Sequence, residues 1–240
     1  INNFNLNNFK VANKKILSKY RHSKYSRINW LLNKILFNDG YINEFYLSSI
    51  DYKKFQFSKE LYLDGYWQDG SVFSNLSESI QKEFTNKYEL SNYGIKFQNQ
   101  ILSTENPVSI HIRKSDYLFS KNVNVFTDLS HNYYLNSQSY ILENVNNPHF
   151  FIFSDDFNWV NENLNLPLNH TLIQNHNNSK DYEELLLMSL CKHNIIANST
   201  FSWWGAWLNK NPNKIILYPR KWFKKSNYNL GLKDWIPIIN

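Results

Sequence analysis

From residue 107 onward the chain switches regularly between two hydrophobic periods. Val108-Ser109-Ile110-His111-Ile112 alternates apolar and polar positions directly after the breaker Pro107, which predicts a strand. His149-Phe150-Phe151-Ile152-Phe153 is a nearly continuous apolar run, the pattern of a strand covered on both faces. Thr171-Leu172-Ile173, Asn194-Ile195-Ile196-Ala197 and the run 214–218, ended by Pro219, read as further strands. Helical spacing fills the gaps. Tyr134, Leu135, Tyr140 and Ile141 mark a helix over 133–143. A short helix is expected over 156–164, capped by Ser154 or Asp155. A strong one over 181–191 opens with Asp181, Glu183 and Glu184, whose charges suit its positive end. Another begins after Ser199 and carries Trp203, Trp204 and Trp207.

Strands separated by helices of this length imply βαβ units and a parallel sheet, so the class is α/β. In such sheets ligands lie beyond the carboxyl ends of the strands. Polar clusters fall at those ends: Arg113 to Asp116, Ser154-Asp155-Asp156, and Asn198 to Ser202. Their coincidence points to one shared site. The first hundred residues are less legible. Residues 14–37 and 74–87 carry helical patterns, and 61–67 reads as a strand entering a turn. Pro107 is taken as the boundary between two regions, 1–106 and 107–240.

Each cluster has a chemistry. Asn198-Ser199-Thr200 joins a strand to a helix, where Asn, Ser and Thr cap the helix start and surround N–H groups that can bind an anion. Strand, hydroxyl-rich turn, helix is how an open α/β sheet holds a phosphate. His111-Ile112-Arg113-Lys114-Ser115-Asp116-Tyr117 leaves a strand and presents two cations and a carboxylate. Arg offers a planar fork for phosphate oxygens and Lys a point charge, and cations fixed where a diphosphate departs stabilise the transition state. The plainer alternative is a solvated turn with a local Arg–Asp pair. Ser154-Asp155 could simply cap the helix at Asp156, or the Asp155-Asp156 pair could supply oxygens to Mg²⁺ or Mn²⁺. The tryptophans could stack on a sugar or base, but aromatics at helical spacing are more often core, and at least one is expected to be buried packing.

Composition narrows these choices. Of 240 residues, 42% are hydrophobic and 17% aromatic, which excludes a disordered chain. The net charge of +6 attracts nucleic acid, anionic membrane or acidic small molecules. No run of five basic residues and no nucleic-acid motif accompany it, which favours one anion-binding cleft. The densest basic stretch, 14–27, interleaves Tyr20 and Tyr25 and could rest peripherally on an anionic membrane. The single Cys191 forbids an intrachain disulfide and sits in an apolar run, where it acts as a small core hydrophobe. No apolar run is long enough to span a bilayer and no cleavable leader is visible, so a reducing, cytoplasmic setting is expected. The seven histidines show no metal-type grouping.

Together the clusters resemble the α-1,2-fucosyltransferases, glycosyltransferase family 11, GT-B-type inverting enzymes that use GDP-fucose. The family's His-x-Arg-Arg-x-Asp-Tyr is similar to residues His111 through Tyr117, and its Phe-Ser-Asp-Asp-x-x-x-Trp to Phe153-Ser154-Asp155-Asp156 with Trp159. Its long Leu-Met-Ser-x-Cys-x-His-x-Ile-x-Ala-Asn-Ser-Thr-Phe-Ser-Trp-Trp-Gly-Ala-Trp-Leu is matched almost letter for letter between Leu187 and Leu208. Weaker echoes are Gly65-Tyr66-Trp67-Gln68, Tyr133-Tyr134 and Pro219-Arg220-Lys221-Trp222-Phe223.

The resemblance implies a Rossmann-type donor domain over 107–240 and a smaller, incomplete acceptor-side region over 1–106. It implies transfer of L-fucose from GDP-β-L-fucose to O2 of a terminal galactose, with inversion and without metal or other cofactor. Arg113 would stabilise the departing diphosphate with Lys114 assisting. His111 and Asp155 or Asp156 would hold the guanosine beside Ser154. Ser199, Thr200 and Ser202, with the backbone around Asn198 and Phe201, would cradle the phosphates. Asp116 is the candidate general base, or else a partner of Arg113 or of the turn backbone. Two departures stand out. Lys114 replaces the family's second Arg, keeping charge but losing a bidentate contact. The family's N-terminal glycine-rich segment is absent and the chain opens at Ile1, which suggests a truncated sequence. The alternative function is therefore a non-catalytic GDP-sugar or carbohydrate-binding protein on the same fold.

Overall fold

The computed structural model describes residues 4, 41–43, 62–65, 70, 75–85, 87, 89–114, 124–174, 181–226 and 230–239. Two compact units emerge, one made of 7–69 and the other of 1–6 with 70–240. In the smaller unit, β1 (Tyr41–Asn43) pairs in parallel with β2 (Tyr62–Asp64). The strand expected over 61–67 is thus present in its central part, whereas the helix expected over 14–37 lies outside the described residues.

The larger unit runs α1 (Ser77–Glu83), α2 (Asn92–Ser103), β3 (Asn106–Ile112), α3 (His131–Asn144), β4 (Pro148–Ser154), α4 (Phe157–Asn163) and β5 (His170–Leu172). It continues with α5 (Asp181–Leu190), β6 (His193–Ile195), α6 (Thr200–Leu208), β7 (Ile216–Pro219) and β8 (Ile236–Ile238). The last six strands form one parallel sheet in the order β5-β4-β3-β6-β7-β8. Counted from β3, that is the 3-2-1-4-5-6 order of a doubly wound nucleotide-binding sheet, with its switch point between β3 and β6. The α/β reading and the alternation of strands and helices from Pro107 onward match what the sequence predicts.

The sheet's two faces follow from strand alternation. Val108, Ile110, Ile112, Phe150 and Ile152 point to the face covered by Tyr133, Tyr134 and Ile141 of α3 and Val160 of α4. Phe151 and Phe153 point to the other, against Phe97 and Ile101 of α2 and Leu187 and Met188 of α5. On that side Ile216 and Tyr218 also pack with Trp203 and Trp207 of α6. Gly205 lets α5 and α6 approach, since a Cβ there would meet Met188 Cβ at 3.0 Å. Trp203 and Trp207 are buried, and the Trp203 indole donates to Leu230 O at 2.7 Å, so these two rings are core. Cys191 is buried as well, and burial pushes its thiol up, as a core residue requires.

Besides β1, two elements of the larger unit escape the sequence reading. Helix α2 has Gly94 and two asparagines along it, which blunts its pattern. It forms because Ser91 caps it, accepting from Gly94 N at 3.2 Å, and because the buried Glu183 of α5 accepts from Ser91 N and Oγ at 2.9 and 2.6 Å. Strand β8 contains Pro237, which only an edge strand tolerates, and β8 is indeed the sheet edge. Because α2 packs on α5, residues 70–106 fall into the same compact unit as the sheet, and Pro107 lies inside that unit.

Candidate functional site

The register of β3 and β4 builds the first half of the site. Ile112 pairs with Ser154, so the next residues on each strand, Arg113 and Asp155, emerge side by side. Asp155 Oδ2 lies 3.2 Å from Arg113 Nε, and Asp155 Oδ1 accepts the Lys114 backbone N–H at 2.8 Å. One carboxylate therefore orients the guanidinium and ties down the strand end behind it. Arg113 keeps about a third of its side chain exposed at the carboxyl end of the sheet (31%), beside the switch point.

Lys114 follows the opposite course. Its ammonium is buried, donating to Asp128 Oδ1 and Leu129 O, both at 2.7 Å, and it sits 4.1 Å from the centre of the Trp159 ring. This departs from the expectation that Lys114 helps the diphosphate leave. Residues 113 and 114 leave a strand on opposite faces, and the α4 side offers Lys114 an aromatic face and two acceptors.

The acidic cluster also sorts differently from the expectation. The cap of α4 is Asp156 itself, which accepts from Trp159 N at 2.9 Å, not Ser154 or Asp155. Ser154 Oγ accepts from Asp156 N at 3.0 Å. Asp155 is thus turned to Arg113 and Asp156 to its own helix, so both carboxylates brace the scaffold of this half of the site. Asp116 lies outside the described residues.

His111 points to the α5–α6 face, 5.6 Å between ring centres from Phe201. It is buried, and Nδ1 has no hydrogen-bond partner among the described residues. Burial lowers its pKa to about 4, with Arg113 adding to the effect and Asp155 opposing it. The imidazole is therefore neutral at pH 7 and offers one donor and one acceptor.

The second half of the site is the turn after β6. Ser199 caps α6, its Oγ accepting from Phe201 N at 3.3 Å, and Thr200 is exposed beside it. The other polar residues of the turn face inward. Buried Ser202 directs Oγ to Ser199 O and Ala197 O at 3.3 and 3.5 Å. Buried Asn198 donates from Nδ2 to Thr127 O at 2.6 Å and to Trp222 O at 3.2 Å. Among the described residues of these two strand ends, Arg113, Ser199, Thr200 and half-buried Phe201 are the ones left at least partly exposed beside the switch point, with His111 buried behind them.

One group was read only as a helix-end charge. Glu184, in the first turn of α5, has its pKa raised to about 7 by burial, with Asp181 adding to the rise. Helical spacing places it on the face of α5 that also carries Leu187 and Met188. Its signal in the sequence is a polar residue where that spacing calls for an apolar one.

A family model for glycosyl transferase family 11 matches residues 2–238. The chain belongs to this family. Among relatives of this family 11 chain, the O-antigen biosynthesis glycosyltransferase WbnK of Escherichia coli is 33% identical over 190 residues, which cover 77% of this chain and 63% of WbnK. An alpha-1,2-colitosyltransferase of the same organism is 33% identical over 170 residues, covering 69% of this chain and 57% of that protein. The chain therefore spans less than two thirds of the length of either relative. No solved structure matches it. Membership makes the chain a glycosyltransferase homologue built on an α/β fold consistent with the GT-B type. Among the described residues, no helix is long and apolar enough to cross a membrane.

Proposed function

We propose that this family 11 chain transfers L-fucose from GDP-β-L-fucose to O2 of a terminal galactose, forming an α-1,2 linkage. The observation that carries the reading is Arg113, partly exposed and oriented by Asp155, at the end of the strand that pairs with β6, whose following turn holds Ser199 and Thr200. A guanidinium and a capped helix start on either side of one crevice suit a diphosphate. As the bond between the anomeric carbon and the β-phosphate oxygen breaks, negative charge grows on GDP, and Arg113 meets it there. The acceptor hydroxyl attacks from the opposite face, its proton passes to a base, and the products are the α-linked fucoside and GDP. Asp116 is the proposed base. Charge neutralisation is assigned to Arg113 and to the N–H groups of the turn, without a metal. Neutral His111 and Phe201 are assigned to the guanosine side, because they share one face of the sheet. Acceptor recognition is assigned, on the resemblance, to the region before Pro107.

The α-1,2 linkage accords with the name of the colitosyltransferase relative, whereas that name specifies another sugar. The decisive assay is release of GDP from GDP-fucose with lactose as acceptor, for the natural chain and Arg113→Ala. Acceptor-dependent release that falls about 10²-fold or more in the variant supports the reading. GDP binding without release would instead make the chain a binding protein, and turnover of only a colitosyl donor would replace the sugar while keeping the site.

A further inference from the structure

The ladder between β3 and β6 runs from Val108–His193 to Ile110–Ile195 and no further. Arg113 and Asn198 stand three residues beyond its last pair. There the chain after β3 heads for α3 on one face of the sheet and the chain after β6 enters α6 on the other. Divergence at a switch point is what opens the crevice, and it also removes the hydrogen bonds that would hold the two lips at a set distance.

Segment 124–130 replaces those bonds. Phe126 bridges antiparallel to Phe223, Lys224 N donates to Val125 O at 2.9 Å, and Thr127 N donates to Trp222 O at 3.1 Å, which fastens the segment to the chain after β7. Asn198 Nδ2 reaches both Thr127 O and Trp222 O, which fastens it to the turn after β6. Lys114 Nζ grips Asp128 and Leu129 O, which fastens it to the end of β3. The carboxyl ends of β3, β6 and β7 are thereby tied to one short stretch of chain.

We propose that segment 124–130 is a strap that sets the spacing between Arg113 and the Ser199-Thr200 turn, with Lys114 and Asn198 as its positioning residues. The proposal rests on the donor-site reading above. It gives Lys114 a role without ligand contact: its charge holds Asp128, and the strap carries the effect to the opposite lip.

The sign of the effect at Asp128 separates this role from a phosphate contact. Asp128 is an exposed carboxylate, so if Lys114 touched phosphate, Asp128→Asn would leave GDP affinity unchanged or raise it. A strap predicts the reverse. Titration of the full chain with GDP should show Lys114→Met and Asp128→Asn each weakening binding roughly tenfold, and the double variant no weaker than either. Additive losses, or a loss in Lys114→Met alone, would overturn the proposal. Hydrogen exchange tests it without ligand. In either variant, exchange at the amides of Thr127, Lys114 and Phe201 should rise roughly tenfold while Val145, at the end of α3, keeps its rate. A rise confined to Thr127, or no rise, would overturn the strap. If the natural chain does not bind GDP, the donor reading falls and the exchange result alone judges the strap. Asp128→Asn keeps the test available should Lys114→Met fail to fold.

Discussion

The two lips of the crevice reach the same place by different means. The lip after β3 is charged: Arg113, Asp155 and Lys114 position one another through ion pairs and charge-assisted bonds, and His111 beneath them is held neutral by burial. The lip after β6 carries no ionisable side chain from Asn198 to Ser202, and backbone geometry, the Ser199 cap and inward-turned amide and hydroxyl groups shape it. One side supplies charge that must be aimed; the other supplies N–H groups that the start of a helix aims already. The charged lip should therefore be the more sensitive to mutation and the only one to respond directly to acid.

The largest break in that comparison is Arg113→Ala, expected to lower kcat for GDP release by about 10²–10³-fold, or about 3–4 kcal/mol, in steady-state assays. Acid comes next. The pKa of His111 falls from 6.5 to about 4 on folding, so its contribution is full above pH 6.5 and is lost as pH drops through about 4. That amounts to about 3 kcal/mol across the window. Urea melts between pH 7 and 4 should show a steep loss in the natural chain and a shallower one in His111→Gln. Equal slopes would remove His111 as the acid-sensitive group. Asp155→Asn should cost about 2 kcal/mol in kcat/KM, because it weakens the hold on Arg113 while leaving the guanidinium in place. An effect as large as that of Arg113→Ala would mean that Asp155 itself meets the substrate. Smallest is Ser199→Ala, which removes the cap of α6 and should lower stability by about 1 kcal/mol in denaturant titrations, with only a few-fold change in GDP affinity. A loss of affinity on the scale of Arg113→Ala would equalise the two lips and end the distinction.

Much of this was legible beforehand for a physical reason. Strand alternation and helix spacing are local, so β3, β4, β6 and the helices between them could be read from 108 to 208, and with them the placement of Arg113 and Ser199 at carboxyl ends. Helix α2 was hidden because its decisive contact, Ser91 with Glu183, joins residues 92 positions apart. The two cations of the basic motif were indistinguishable as charges, since nothing near Lys114 in sequence announces Asp128 or Trp159 as its partners. The acidic pair was equally ambiguous until the register of β3 and β4 set Asp155 against Arg113 and left Asp156 to cap α4.

By itself, then, the sequence determined the parallel α/β class, the polar clusters at the carboxyl ends of the strands, and the family, because periodicity, caps and a long motif are carried by consecutive residues. Only the tertiary structure decided which of those polar residues face the crevice and which hold it open. That choice depends on strand register and on partners far along the chain, such as Trp159 for Lys114 and Thr127 and Trp222 for Asn198, which meet only when the sheet is assembled.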